Sequence, residues 1–299
     1  MMKQNSFFNK YSKKYLIQPD AGLGNRLYCM YSALYYSIQT KRPFDIIWLR
    51  ETCCNVRYDE LFDMSGFIYG ENVIYKPKII TTYHLGYKNR YSLVSVLSDI
   101  YMIYIKHKYH YYTSEDTRAL FFSEGPEKIK KVISDDADIC IKANGNFIDM
   151  DEYKDIVHMI KPSKKIEKIV EEIMSPYGGK KVCGVHIRRT DNKVSIDNSP
   201  LEMFREKMRL EVIDNPDTAF YLASDDEEVI KDFSLEFNLI PHKHLSDKIS
   251  RSSSNGMIDA YVDMLCLSRC DLIYGSYGSS FSDLASLIGS VSLEVIRGV

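Results

Sequence analysis

The chain has 299 residues, of which 45% are hydrophobic and 27% charged, with a formal net charge of −2. That length suits two domains of ordinary size, and the composition is that of a globular protein. A near-neutral balance excludes broad nucleic-acid binding, which needs a basic face, yet leaves room for one local anion site.

No apolar run reaches bilayer length, and the opening MMKQNSFFNKYSKKY is too polar for a signal-peptide core. The expected setting is therefore cytoplasmic, with peripheral membrane association left open. The seven cysteines form no CxxC pair, and Cys53 and Cys54 are adjacent. Reduced thiols fit this pattern better than a disulfide framework.

A strand from Tyr15 to Gln18 leads into the turn Pro19-Asp20-Ala21-Gly22-Leu23-Gly24-Asn25-Arg26. Leu27, Met30, Tyr31, Leu34, Tyr35 and Ile38 then recur at helical spacing, and Asp45 to Leu49 forms a second strand. Strand, glycine turn, helix, strand is a βαβ opening. The tyrosine-rich stretch from Tyr83 to Tyr112 reads as a helix that packs through Leu93, Val96, Leu97, Ile100 and Tyr104. Its phenols could alternatively offer faces for stacking sugar rings. A short strand, Ile139 to Lys142, precedes Asn144-Gly145-Asn146.

Pro162-Ser163 opens a helix that runs to about Met174, and the turn-rich run Ser175 to Lys181 marks the expected boundary between domains 1–175 and 176–299. Beyond it, strands at Val182–Ile187, Ala219–Ala223 and Leu272–Gly275 alternate with helices at Pro200–Ile213, Glu227–Phe237, Met257–Leu267 and Phe281–Ile288. A last apolar run covers Val291–Ile296. Such alternation makes a parallel, doubly wound sheet, which binds ligands at the carboxyl ends of its strands.

Three of those ends carry chemistry. The first delivers His186, Arg188 and Arg189. On an extended chain His186 and Arg188 share a side, and guanidinium groups closing a buried strand need anionic partners, either a ligand or Asp191. The second ends in Ser224-Asp225-Asp226-Glu227-Glu228. One such residue caps the helix, which leaves a carboxylate, Asp225, able to accept from the edge of a guanine. The third runs through Ser276-Tyr277-Gly278-Ser279-Ser280 into an apolar helix, where small residues and free N–H groups form a phosphate cradle. Anion clamp, base-reading carboxylate and cradle in one sheet describe a nucleotide diphosphate site.

VCGVHIRRTD, YLASDD and DLIYGSYGSSFSDLA, with AGLGNRL near the start, resemble the fucosyltransferase superfamily. That group includes the core α1,6-, nodulation-type, α1,2- and protein O-fucosyltransferases. The resemblance covers most of the C-terminal half and the first strand–turn–helix; roughly Arg50 to Lys180 carries no such motif. It implies a GT-B fold, two Rossmann-like parallel-sheet α/β domains facing a cleft. GDP-fucose would sit mainly in the C-terminal domain, with no metal and no other cofactor. Residue by residue, it implies that Arg188 grips the β-phosphate and that His186 and Asp225 contact guanosine. Ser279, Ser280 and Gly278 would lie by the diphosphate, and Arg189 belongs to the same donor-binding run. After a one-residue insertion at Asn192, Asp197 takes the place of the base and Lys193 that of its partner, with Asp191 the other candidate base. Gly24, Asn25 and Arg26 would face an oligosaccharide or glycan acceptor. The implied chemistry is inverting fucosyl transfer to a hydroxyl group.

Rival readings have weaker support. Asp149-Met150-Asp151 matches the DxD of metal-dependent GT-A transferases, but no nucleotide-binding pattern precedes it. Gly22-Leu23-Gly24 lacks the third glycine of a dinucleotide fingerprint, since Leu27 stands there, and no P-loop occurs. A non-catalytic guanine-nucleotide or sugar-binding protein would share the same strand ends. His242 and His244 form an HxH without a neighbouring cysteine or carboxylate pattern, so no residue is assigned to a metal.

Overall fold

A computed structural model describes residues 13–69, 73–84, 93–135, 137–246, 250 and 252–298. The chain forms two compact units, Met1–Ser163 with Arg251–Met257, and Lys164–Ser250 with Ile258–Val299.

The first unit contains β1 (Tyr15–Pro19), α1 (Leu23–Thr40), β2 (Phe44–Glu51), α2 (Tyr58–Leu61), β3 (Phe67–Tyr69), β4 (Val73–Tyr75), β5 (Ile79–His84), α3 (Leu93–Lys108), β6 (His110–Tyr112), α4 (Ser114–Ala119), α5 (Pro126–Ser134) and β7 (Ile139–Ala143). Five strands make a sheet in the order β5-β2-β1-β7-β6, every pairing parallel, while β3 and β4 form a separate antiparallel pair. All five residues of β1 are buried, as expected of a central parallel strand covered on both faces. Leu27, Met30, Tyr31 and Leu34 of α1 are fully buried against the sheet.

The tyrosine-rich stretch departs from its expected form. It is divided between the end of β5, α3 and β6, with residues 85–92 outside the described set. The side of α3 expected to be buried faces outward: Leu93, Val96, Leu97, Ile100 and Tyr104 are all exposed. Ser95, Ser98 and Ile105 are buried instead. The Ser98 hydroxyl accepts from the Tyr83 amide at 3.1 Å, and Ile105, Tyr101 and Met102 join a core cluster with Leu16, Ile47 and Cys140. Small serines bring the helix close to the sheet, and a helix apolar on more than one side buries whichever side can approach.

The second unit contains α6 (Lys164–Met174), β8 (Val182–Ile187), α7 (Lys193–Asn198), α8 (Leu201–Asp214), β9 (Ala219–Ser224), α9 (Glu227–Ser234), α10 (Ser254–Leu267) from Ile258 onward, β10 (Leu272–Ser276), α11 (Ser280–Gly289) and β11 (Ser292–Ile296). α6 belongs here rather than with the first unit, held by Glu171 to Arg269 at 2.7 Å and Glu172 to Lys243 at 3.2 Å. The compact units thus divide at Ser163/Lys164 and not in the 175–181 turn. Four parallel strands run in the order β11-β10-β8-β9 over a core of Cys183, Val185, Ile187, Phe204, Met208, Phe220, Leu222 and Phe233. The chain leaves β8 toward β9 on one side and returns to β10 on the other. β8 and β10 therefore flank a topological switch point, where open α/β sheets bind ligands. Gly275 lets α11 approach this seam, since a Cβ there would lie 2.7 Å from the Ser282 hydroxyl oxygen.

Candidate active site at the ends of β8, β9 and β10

Register brings the three strand ends level. His186 pairs with Ala223 on one side and with Gly275 on the other. Ser276 fastens the exits of β8 and β10 together: its hydroxyl donates to the His186 carbonyl at 3.2 Å and accepts from the Arg188 amide at 3.0 Å.

His186 is 5% exposed and stacks on Phe281 of α11, with ring centroids 4.7 Å apart. Its Nδ1 lies 3.5 Å from the Ser279 hydroxyl. Burial, and then the Arg188 charge, push its pKa down to about 4, against the weaker pull of Asp225 and Asp263. The ring is neutral near pH 7, suited to hydrogen bonding a hydroxyl or a base edge rather than to neutralising phosphate.

Arg188 stands beyond the end of β8 between two carboxylates. One guanidinium nitrogen lies 2.8 Å from Asp225 and the other donates to Asp191, whose side chain is 56% exposed. Asp225 also accepts from the Arg189 amide at 2.7 Å, the Thr190 amide at 3.2 Å and the Thr190 hydroxyl at 2.6 Å. Burial opposes its charge, but the Thr190 hydroxyl, the Arg188 charge and those amides hold its carboxyl below the usual range. Both oxygens are engaged with the turn that follows β8, so in this structure Asp225 positions Arg188 instead of presenting a free carboxylate to a base.

Arg189 turns to other partners. Its guanidinium donates to the carbonyls of Ile196, at 3.4 Å, and Ser199, so it closes the carboxyl end of α7, a favourable place for a cation. Asn192 caps the other end of α7 by accepting from the Ser195 amide at 3.2 Å. Its amide group donates to the Gly278 carbonyl at 3.3 Å, and the Ser195 hydroxyl donates to the Tyr277 carbonyl at 2.7 Å. α7 is thereby tied to the turn before α11, with Lys193 and Asp197 exposed one helical turn apart.

Gly278 has φ +66°, the left-handed region that favours glycine, and so turns the chain into α11. Ser279 is buried at the N-cap with its hydroxyl turned toward His186 rather than capping the helix, and Ser280 is half-buried in the first turn. Burial raises the carboxyl of Asp283 in the same turn above its ordinary value. Thr190, Ser195, Ser199, Ser276 and Phe281 also build the site, although only Ser276 stood out in the sequence. Polar residues within two or three positions of a strand end are the signal that could have found them.

In the first unit, β1 and β7 flank a second switch point. The helix begins at Leu23, four residues before the periodic run, so Gly24 and Asn25 lie half-buried in its first turn. That early start swings Arg26 inward. It is fully buried, donating to the Ala21 carbonyl at 2.7 Å, the Leu49 carbonyl at 2.6 Å and the Glu51 carboxylate at 2.7 Å, with its guanidinium carbon 4.8 Å from the Trp48 ring. Arg26 is thus a structural clamp and not an acceptor-facing group. Asp149 and Asp151 sit exposed at the start of a single 3-10 turn. No helix among the described residues is long and apolar enough to cross a membrane.

Neither a protein-family model nor a curated protein matches the chain. Solved structures do. Fucosyltransferase NodZ from Bradyrhizobium aligns over 93% of this chain and 94% of its own, at 19% identity and a TM-score of 0.56. A NodZ α-1,6-fucosyltransferase soaked with GDP-fucose aligns over 93% of each chain, at 18% identity and a TM-score of 0.56. POFUT1 in complex with GDP-fucose aligns over 96% of this chain and 99% of its own, at 11% identity and a TM-score of 0.54. Arabidopsis thaliana FUT1, as a mutant bound to GDP, aligns over 94% of this chain and 70% of its own, at 16% identity and a TM-score of 0.57. These likenesses assign the fold: the chain has the GT-B-type α/β architecture, with one parallel sheet in each unit.

Proposed function

We propose that the chain is an inverting glycosyltransferase that moves fucose from GDP-fucose to a hydroxyl of an oligosaccharide or glycan, with no metal at the diphosphate. One observation carries this reading: Arg188 is held by Asp225 and Asp191 at the end of β8, level with the start of α11 across a switch point. Structures of the same fold bind GDP or GDP-fucose.

The diphosphate replaces Asp191 on Arg188 and lies against the first-turn amides of α11, while Asp225 keeps its grip on the other nitrogen. Guanosine lies by His186. The acceptor oxygen attacks the anomeric carbon as the bond to the β-phosphate oxygen breaks, and GDP leaves. Negative charge grows on that phosphate, where Arg188 and the α11 amides stabilise it. The base must stand opposite the leaving group. Asp191 lies beside Arg188, on the side where the diphosphate binds, so Asp197, with Lys193 one turn away, takes the acceptor proton. Gly24 and Asn25, at the switch point of the first unit, serve the acceptor.

The test is fucose transfer from GDP-fucose to a panel of oligosaccharides, with and without added Mg²⁺ or Mn²⁺. The expected result is GDP release coupled to fucosylated product at a rate those ions do not change. Tight GDP binding without hydrolysis or transfer on any acceptor would favour a non-catalytic nucleotide-binding protein. A strict need for Mg²⁺ or Mn²⁺ would remove the metal-free charge stabilisation.

A further inference from the structure

The segment after α9 runs along the outer edge of β9. The Phe220 amide donates to the Asn238 carbonyl at 2.9 Å, and the Ile240 amide donates to the Phe220 carbonyl at 2.8 Å. Two residues on, a side chain continues the ladder: His242 Nε2 lies 2.7 Å from the Leu222 carbonyl oxygen. A carbonyl only accepts, so Nε2 carries the proton and Nδ1 of the neutral ring presents a lone pair. That lone pair faces His244 Nε2 at 2.9 Å and Asp263 Oδ1 at 3.3 Å, and those two atoms are 3.2 Å from each other.

Three electron-pair donors so arranged form a nearly equilateral triangle. A tetrahedral ion with bonds of ~2.0–2.1 Å spaces its ligand atoms about 3.3–3.4 Å apart, so the triangle is one face of a slightly contracted coordination tetrahedron. Among the described residues, this is the group of three that could hold a metal ion.

The frame around the triangle is built independently of any ion. Asp259, one turn before Asp263 on α10, accepts from the amides of Leu245 at 2.7 Å and Ser246 at 3.0 Å, and from the Ser246 hydroxyl. The Tyr221 hydroxyl donates at 2.6 Å to Asp263 Oδ1, the oxygen that faces both histidines, and the Tyr221 ring lies against His242 with centroids 5.0 Å apart. A ligating histidine that donates its other ring N–H to a carbonyl, as His242 does to Leu222, and a ligating carboxylate held by a hydroxyl are the usual supports of a metal site. The His242 and His244 side chains are 13% and 21% exposed, so a fourth ligand position opens toward solvent.

We propose that His242 Nδ1, His244 Nε2 and Asp263 Oδ1 bind one divalent transition ion of the zinc class, completed by water. Two imidazoles with one carboxylate suit zinc; magnesium and calcium take oxygen donors. All three ligands come from the second unit, on α10 and the segment beside β9. Bound there, the ion fixes the 242–246 loop to α10.

The test uses tag-free protein, stripped with a chelator and titrated with Zn²⁺ alone, with melting temperature as a second readout. The expected result is one Zn²⁺ per chain with a rise in melting temperature, and Co²⁺ should give the visible bands of a four-coordinate site. His244→Ala should weaken Zn²⁺ binding ~100-fold or more, and Tyr221→Phe, which removes the hydroxyl that orients Asp263 Oδ1, ~10–100-fold. Should His244→Ala fail to fold, the Co²⁺ spectrum of the native chain decides. Absence of those bands, or Zn²⁺ binding unchanged in His244→Ala, would overturn the site and leave a proton-sharing triad. GDP binding by the stripped protein is scored separately and bears only on the donor site.

Discussion

Replacing Arg188 with alanine separates catalysis from folding more cleanly than any other change in the site. The side chain is 18% exposed and its partner Asp225 13% exposed, so the pair is shielded yet not sealed from water. Its removal does not orphan Asp225, which keeps the Arg189 amide at 2.7 Å, the Thr190 amide at 3.2 Å and the Thr190 hydroxyl at 2.6 Å. The structural loss is about one charge-assisted hydrogen bond, roughly 1.5–3 kcal/mol. A typical total stability is about 5–15 kcal/mol, so the variant should remain folded. Turnover is a different matter, because losing a donor aimed at developing charge costs about 2.7–4 kcal/mol of barrier. GDP release from GDP-fucose with saturating acceptor should therefore fall ~10²–10³-fold while melting drops by only a few degrees. Arg188→Lys keeps a point charge but cannot span two partners, so it should recover part of the rate. An Arg188→Ala protein within ~10-fold of native turnover, or one whose loss simply tracks unfolding, would refute the assignment.

Other changes probe separate links. Asp197→Asn should lower kcat ~10²–10⁴-fold with little change in donor KM, whereas Asp191→Asn should act mainly on donor affinity; the reverse pattern in steady-state kinetics would exchange their roles. His186 has its pKa pushed down to about 4, below its unfolded value, so its contribution is whole above pH ~6.5 and is lost as pH falls toward 4. Urea titrations of native and His186→Asn protein should diverge by roughly 2–3 kcal/mol between pH 7.5 and 4.5, and parallel profiles would show that the ring is not held neutral. Arg26→Met should cost about 3–5 kcal/mol of first-unit stability by stranding Glu51, and unchanged denaturation curves would contradict its burial. Gly275→Ala places a methyl 2.7 Å from the Ser282 hydroxyl oxygen and 2.8 Å from Leu293. It should lose about 1–3 kcal/mol and raise donor KM by displacing α11, as calorimetry and kinetics would detect.

The second unit was nearly legible in the sequence because its strands are continuous apolar runs separated by amphipathic helices. The end of β8, the end of β9 and the glycine turn before α11 follow from that pattern, and parallel register then makes them level. Four things were hidden. Tertiary bonding redirects Asp225, whose partners at 189 and 190 lie 35 or more positions away in the chain. The outward apolar side of α3 has the same periodicity as a buried one, and periodicity carries no information on which side the sheet can approach. Arg26 looked like a ligand group because the helix was expected to start at Leu27; instead the helix starts at Leu23 and carries Arg26 in its first turn, where its guanidinium reaches the Leu49 carbonyl and Glu51 at the end of β2. The histidine pair at 242 and 244 was visible, but its third partner lies 19 residues on, across a loop and a helix.

The most direct test of the central claim is a calorimetric titration with GDP, GDP-fucose, GDP-mannose and UDP-sugars, followed by product analysis with an oligosaccharide acceptor. The expected result is binding of GDP and GDP-fucose, loss of that binding in Arg188→Ala, and fucose transfer with inversion. Binding of UDP-sugars alone, or GDP affinity untouched by Arg188→Ala, would contradict it.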